Sequence, residues 1–194
     1  MKKLTFLCVM LLLIASCKES ATDFSDETVK GLSELPEHAE KVPYEDNPNL
    51  VKVNILHVDG SASEGDYLDG ERHGSWTEFH KNGLVKSVTS YINGVKQGPH
   101  VEIGERGQLE IKAYYHANEL HGKWIKYERS RILEERPYKN GKLHGIVKIY
   151  YPTGTIMEES PYVEGQRHGV AKWYDQNGIE TIRYTYKNGE LVDK

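Results

Sequence analysis

Residues 138–154 read YKNGKLHGIVKIYYPTG, and the order of residue types in that stretch decides the fold. Tyr138 opens it. Asn140-Gly141 is a dipeptide suited to a type I′ turn, whose two central residues both need positive φ. A short β-branched and aromatic run follows, and Thr153-Gly154 marks a second turn. The same grammar extends outward in both directions. Tyrosines stand at 44, 67, 91, 115, 138, 162 and 186, always 23 or 24 residues apart. Three residues after each come Asn47, Gly70, Gly94, Asn118, Gly141, Gly165 and Gly189; seven after, Val51, Gly74, Gly98, Gly122, Gly145 and Gly169. Sixteen after come Gly60, Gly83, Gly107, Arg131, Gly154 and Gly178. Those columns hold fifteen of the eighteen glycines, leaving only Gly31, Gly65 and Gly104 outside. A fixed period of this kind marks a repeat architecture.

Each unit therefore spells strand, tight turn, strand, second turn. Stacked units predict an all-β fold: an elongated antiparallel meander of repeated hairpins, each strand pairing with its chain neighbours. An apolar column twelve residues after the tyrosine (Leu56, Phe79, Ile103, Tyr127, Tyr150, Tyr174) falls on the face opposite Trp76, Trp124 and Trp173, because side chains alternate along a strand. The units resemble MORN repeats, specifically the bacterial variant form, over about residues 44–194. The resemblance implies a degenerate cap at 44–66, five full units over 67–185 and a partial unit at 186–194. It implies an architecture with a binding or scaffolding role and no reaction; some bacterial arrays of this kind carry an antitoxin or immunity label, so an antitoxin-like role stands as an alternative. Three departures, Pro99-His100, Asn118 and Arg131, predict irregularity in the middle of the sheet. Pro137 and Pro161 cannot donate to a ladder, which predicts loosened or bulged pairing there.

The beginning of the chain reads differently. Met1-Lys2-Lys3 is a basic start and residues 4–14 form an apolar run, shorter than the roughly 20 residues a spanning helix needs. Ile14-Ala15-Ser16-Cys17 resembles the lipobox of bacterial lipoproteins. That resemblance implies a signal peptide at 1–16, cleavage before Cys17 and acylation of Cys17, with several acyl chains making a durable membrane anchor. Lys18 in place of Asp leans toward the outer membrane, so the expected location is the cell envelope, lipid-anchored, on its periplasmic or surface face. Residues 17–43, polar and with Pro36 and Pro43, read as a flexible tether.

Composition narrows the function. At 38% hydrophobic, with mean hydropathy −0.65, the chain is not a polytopic membrane protein, and two cysteines do not make a disulfide scaffold. Removing Lys2 and Lys3 from 25 basic residues leaves 23 against 29 acidic, a net of −6 for residues 17–194. That balance argues against a nucleic-acid partner. His73, His121, His144 and His168 recur just before the seven-offset glycine, yet equivalent positions lie two strands, roughly 9–10 Å, apart and cannot share one ion. No metal, cofactor or catalytic residue is expected. Glu134-Glu135 and Glu158-Glu159 point to opposite faces, and no phosphate loop, nucleophile elbow or metalloprotease motif stands out, so the chain reads as a non-enzyme. Trp76, Trp124 and Trp173 form a candidate ligand face. Either they pack across strands or they are open to a ligand. The expected function is an envelope interaction or scaffold module for a protein partner. The alternative is a cell-wall or surface glycan-binding module, its exposed rings stacking on sugars.

Overall fold

The computed structural model describes residues 31–193. The expected signal peptide at 1–16, Cys17, and the first part of the expected tether lie outside the described residues. No helix among those described is long and apolar enough to cross a membrane. A single 3₁₀ turn, Leu32–Glu34, precedes seventeen strands. In chain order these are β1 (Glu40–Pro43), β2 (Leu50–Leu56), β3 (Ala62–Leu68), β4 (Glu71–Phe79), β5 (Val85–Ile92) and β6 (Val95–Ile103). Then come β7 (Leu109–His116), β8 (Glu119–Leu120), β9 (Gly122–Glu128), β10 (Arg131–Lys139), β11 (Lys142–Leu143) and β12 (Gly145–Tyr150). The last are β13 (Ile156–Val163), β14 (Gln166–Arg167), β15 (Gly169–Tyr174), β16 (Glu180–Lys187) and β17 (Glu190–Asp193). All belong to one open antiparallel sheet in which each strand pairs with its neighbours in the chain.

The turn chemistry explains the meander. Asn93 and Gly94 have φ of 48° and 75°, the left-handed pair that a type I′ turn requires, and the equivalent residues of every unit from Tyr67 onward do the same. These turns are also stitched to one another. The amide of Gly94 donates to the Arg72 carbonyl and that of Gly165 to the Leu143 carbonyl, each reaching from one unit to the one before. The second turn is a five-residue loop, as at 80–84, closed by the His80 amide on the Leu84 carbonyl and by the Gly83 amide on the His80 carbonyl.

Pairing alternates between two kinds. β4 runs against β5 from Gly74↔Tyr91 to Glu78↔Ser87 without a break, whereas β5 and β6 lose register between Thr89↔His100 and Tyr91↔Lys96. The prolines are not the cause of the break. It recurs where the residue before the tyrosine is Ser90 or Tyr114, and it tracks the seven-offset glycine instead. Gly145, for instance, sits at φ 117°, and a Cβ there would lie 3.0 Å from Pro137 Cγ. The same break splits β8 from β9, β11 from β12 and β14 from β15. Of the three departures expected to disturb the sheet, only one does. Pro99-His100 lies within an unbroken β6–β7 register, and Ala117-Asn118 forms a regular left-handed turn. The hairpin before Arg131 does change: β9 and β10 are joined by Arg129-Ser130 alone, with a bulge between Ile132 and Glu134.

Packed structure is present before the expected tether boundary at 43. Leu32 donates its amide to the Gly70 carbonyl, β1 pairs with β2, and Leu35 and Ala39 are buried against Val51, Val53, Ile55, Tyr67, Trp76 and Tyr91. Composition favours a tether there, but these two apolar side chains meet an uncovered sheet face and bury on it.

Candidate interaction surface

Alternation along each strand divides the sheet into an inner and an outer face. Inner residues of β5 (Ser87, Thr89, Tyr91) are buried, and the residues between them face outward. The inner face carries the leading tyrosines, each from Tyr91 onward opposite a seven-offset glycine in the preceding strand, as in Gly98↔Tyr115 and Gly145↔Tyr162. It also carries all three tryptophans. Trp76 and Trp124 are only 3% and 6% exposed, so neither presents a ring on which a sugar would stack. Trp173 is half-buried.

Long cationic side chains supply the cover that a second layer would otherwise give. The Arg72 guanidinium lies 4.2 Å from the Trp76 ring centre and 5.5 Å from that of Tyr91, and Arg136 lies 5.4 Å over Trp124. Arg167 reaches three rings, Tyr162, Trp173 and Tyr186, at 5.5–5.9 Å. Each desolvated stack of this kind contributes about 1–2 kcal/mol. Arg167 also donates to Glu158 at 3.0 Å, and Glu158, 8% exposed, accepts further bonds from Ser160 Oγ and from Trp173 Nε1 at 3.1 Å. The charge is thus compensated and its oxygens occupied, which a buried carboxylate requires. Where Trp76 has its counterpart, the next unit places His100. Its Nε2 faces the Glu102 carboxylate at 3.1 Å, an acceptor only, so that nitrogen carries the proton and Nδ1 accepts from the Thr89 hydroxyl at 2.8 Å. Tyr115 packs against His100 at 5.6 Å, and burial together with the Glu102 charge pushes its phenol up to about 12.

The outer face holds what sequence reading did not single out. Eight residues after each tyrosine, and one before the next, a row runs across the strands: Ser75↔Ser90, Pro99↔Tyr114, Lys123↔Pro137, Ile146↔Pro161, Val170↔Thr185. It is polar at β4–β5 and mostly apolar from β6 onward, interrupted by Lys123 and Thr185, with Tyr114, Ile146 and Val170 44%, 52% and 42% exposed. Two residues along each strand lies a second row, Glu135↔Lys148↔Glu159↔Lys172↔Arg183, of largely alternating charge. Lys148 and Glu159 are 3.1 Å apart, and the hydroxyls of Tyr150 and Tyr174 donate to Glu135 and Glu159 at 3.1 Å. Burial and the Glu135 bond push the Tyr150 phenol up to about 12 as well. The twelve-offset column occupies this outer face. Because the residues of the apolar row differ in kind from unit to unit, no repeat column announced it. Among the described residues no cluster of three His, Cys, Asp or Glu side chains is placed to hold an ion.

Fold and surface together define an open, single-sheet array of β-repeats. Three stretches, 72–93, 143–164 and 167–188, match the family model described as MORN repeat variant. Those three stretches are thus MORN-like repeats. No curated protein matches the chain.

Proposed function

We propose that this chain is a non-catalytic interaction module that binds a protein partner through the outer face of its C-terminal units, held at the cell envelope by lipid on Cys17. The observation that carries the reading is the exposed Tyr114, Ile146 and Val170 of the eight-offset row, set among Pro99, Pro137 and Pro161 and interrupted by Lys123 and Thr185, beside a charge-paired row. An apolar strip rimmed by polar groups is the usual composition of a protein interface. The test replaces Ile146 by a photo-crosslinking phenylalanine analogue in the intact cell. A discrete adduct that Val170→Asp abolishes, with none from the same analogue at Asn54 in β2, supports the reading. Adducts equally strong from both positions, or indifferent to Val170→Asp, overturn it.

Glycan binding is favoured by one observation at the C-terminal end of the inner face. There Trp173 and Tyr184 stand half-buried at 5.5 Å with rings tilted by 60°. Co-sedimentation with cell-wall polysaccharide that Trp173→Ala abolishes, and Val170→Asp leaves intact, would place the ligand there instead.

A further inference from the structure

Second-turn loops of five residues, at 57–61, 80–84, 104–108, 151–155 and 175–179, line one rim of the sheet. Neighbouring loops touch: His80 Nε2 bonds to the Ile103 carbonyl at 2.7 Å and Asn82 Nδ2 donates to the Glu105 carbonyl at 2.8 Å. The two-residue turn at Arg129-Ser130 removes one member of this series and leaves a notch. On one side of the short hairpin is a depression of about 810 Å³, floored by Ile111, Tyr127 and Leu133. On the other is one of about 380 Å³ against Tyr151 and Pro152, and the two share Glu128, Arg129 and Leu133. The larger volume is within the range of ligand-binding clefts.

Three features coincide at the notch. The first is charge. Arg106, Lys126, Arg129 and Arg131 line the two depressions against Glu110 and Glu128, a local excess of two positive charges on a chain of net charge −4. The second is availability. Arg131 is engaged by the Pro152 carbonyl, but among the described residues Arg106, Lys126 and Arg129 form no ion pair. The third is strain. Arg129 and Ser130 sit at φ 50° and 64°, a conformation that costs an ordinary L-residue roughly 1–2 kcal/mol and that Asn-Gly adopts in three other units of this array.

We propose that the notch receives an extended peptide segment of a protein partner in which acidic residues flank apolar ones. The cations are spread around an open groove and do not converge on one point, which disfavours a lone small anion. An extended chain carries every second side chain on one side, roughly 6.6 Å apart, so carboxylates reach the rim cations while the intervening apolar residues meet Ile111 and Leu133. Arg129 occupies a strained turn because a relaxed Asn-Gly would remove a cation from the groove. The proposal uses none of the residues of the outer-face apolar row, so either can fail alone.

The test is fluorescence anisotropy of the full chain with a labelled Glu-Leu-Glu-Leu-Glu peptide and its Gln-Leu-Gln-Leu-Gln counterpart. Saturable binding of the first alone, weakening with salt, is expected. Lys126→Glu with Arg129→Glu should reduce affinity about tenfold or more, and Val170→Asp should leave it unchanged. Arg129→Asn with Ser130→Gly should weaken binding while raising the urea midpoint, a combination that damage to the fold does not produce. Equal binding of both peptides, indifference to the charge reversals, or uptake of the protein by phosphatidylglycerol vesicles with the same residue dependence and no peptide binding would each overturn the proposal.

Discussion

Gly65→Ala and Gly104→Ala form a matched pair on which the packing account can be judged. Both glycines lie outside the repeat columns and outside the left-handed region, and a Cβ at either would collide with a neighbour. At Gly65 it would sit 3.0 Å from the Ser75 carbonyl and 3.1 Å from Trp76 Cδ2, with Cε3 closer still. To regain ordinary carbon contact near 3.5 Å, the indole must retreat on the order of 1 Å. It has nowhere to go, because Tyr67 packs edge-on at 5.7 Å and the Arg72 guanidinium closes the other side at 4.2 Å. Overpacking of this kind costs roughly 1–3 kcal/mol. A loss of about 2 kcal/mol would lower the melting temperature by roughly 4–8 °C in a domain of this size. At Gly104 the obstructing atoms are the far ends of Gln108 and Glu110, which swing aside, so the expected change is within about 0.5 kcal/mol. Urea melts followed by circular dichroism compare the two, and Trp76→Phe should relieve the Gly65→Ala penalty in a double-mutant cycle. Equal losses at both positions, or no relief from the smaller ring, would refute the reasoning.

Two further outcomes follow from the inner face. Trp173→Phe should destabilise by about 1–3 kcal/mol, because Glu158 loses a donor while nearly buried. Trp124→Phe should cost less, although Trp124 is the more buried, since its indole nitrogen has no hydrogen-bond partner to lose; the reverse order in urea melts would contradict this. The second outcome concerns alkaline pH. With the Tyr115 phenol raised from the ordinary 10 to about 12, its neutral form supports the fold fully below pH 10, and that support is lost as pH climbs to 12. Tyr115→Phe should therefore show a shallower fall in urea midpoint between pH 10 and 12 than the parent, and identical slopes would rule the effect out.

The turns and the face assignment were legible because they are local demands. A left-handed backbone asks for glycine or asparagine at a fixed position, and parity places Trp76, Trp124 and Trp173 on one face whatever surrounds them. What covers that face was not legible. Nothing local tells the long cationic stems of Arg72, Arg136 and Arg167 to fold back over rings in other strands. Glu158 is only one of an adjacent pair pointing to opposite faces until Ser160, Arg167 and Trp173 are found on it. Leu35 and Ala39 sit in a polar segment, and only the uncovered end of the sheet gives them a place to bury. The apolar row escaped notice because its residues change identity from Ser75 to Pro99 to Ile146. Arg131 was visible as a broken column, but the notch beside it exists only by contrast with the loops of neighbouring units.

Exclusive pairing between chain neighbours carries a kinetic consequence. The most widely separated ladder partners among the described strands are Leu50 and Leu68, 18 positions apart. All-β domains usually fold slowly because distant segments must find one another before any contact repays the loss of chain entropy. Here each closure spans a short loop, the regime in which hairpins form in about 1–10 μs. The array can therefore assemble one hairpin after another along its length, each finished edge templating the next, at a pace more typical of helical domains than of β-sandwiches.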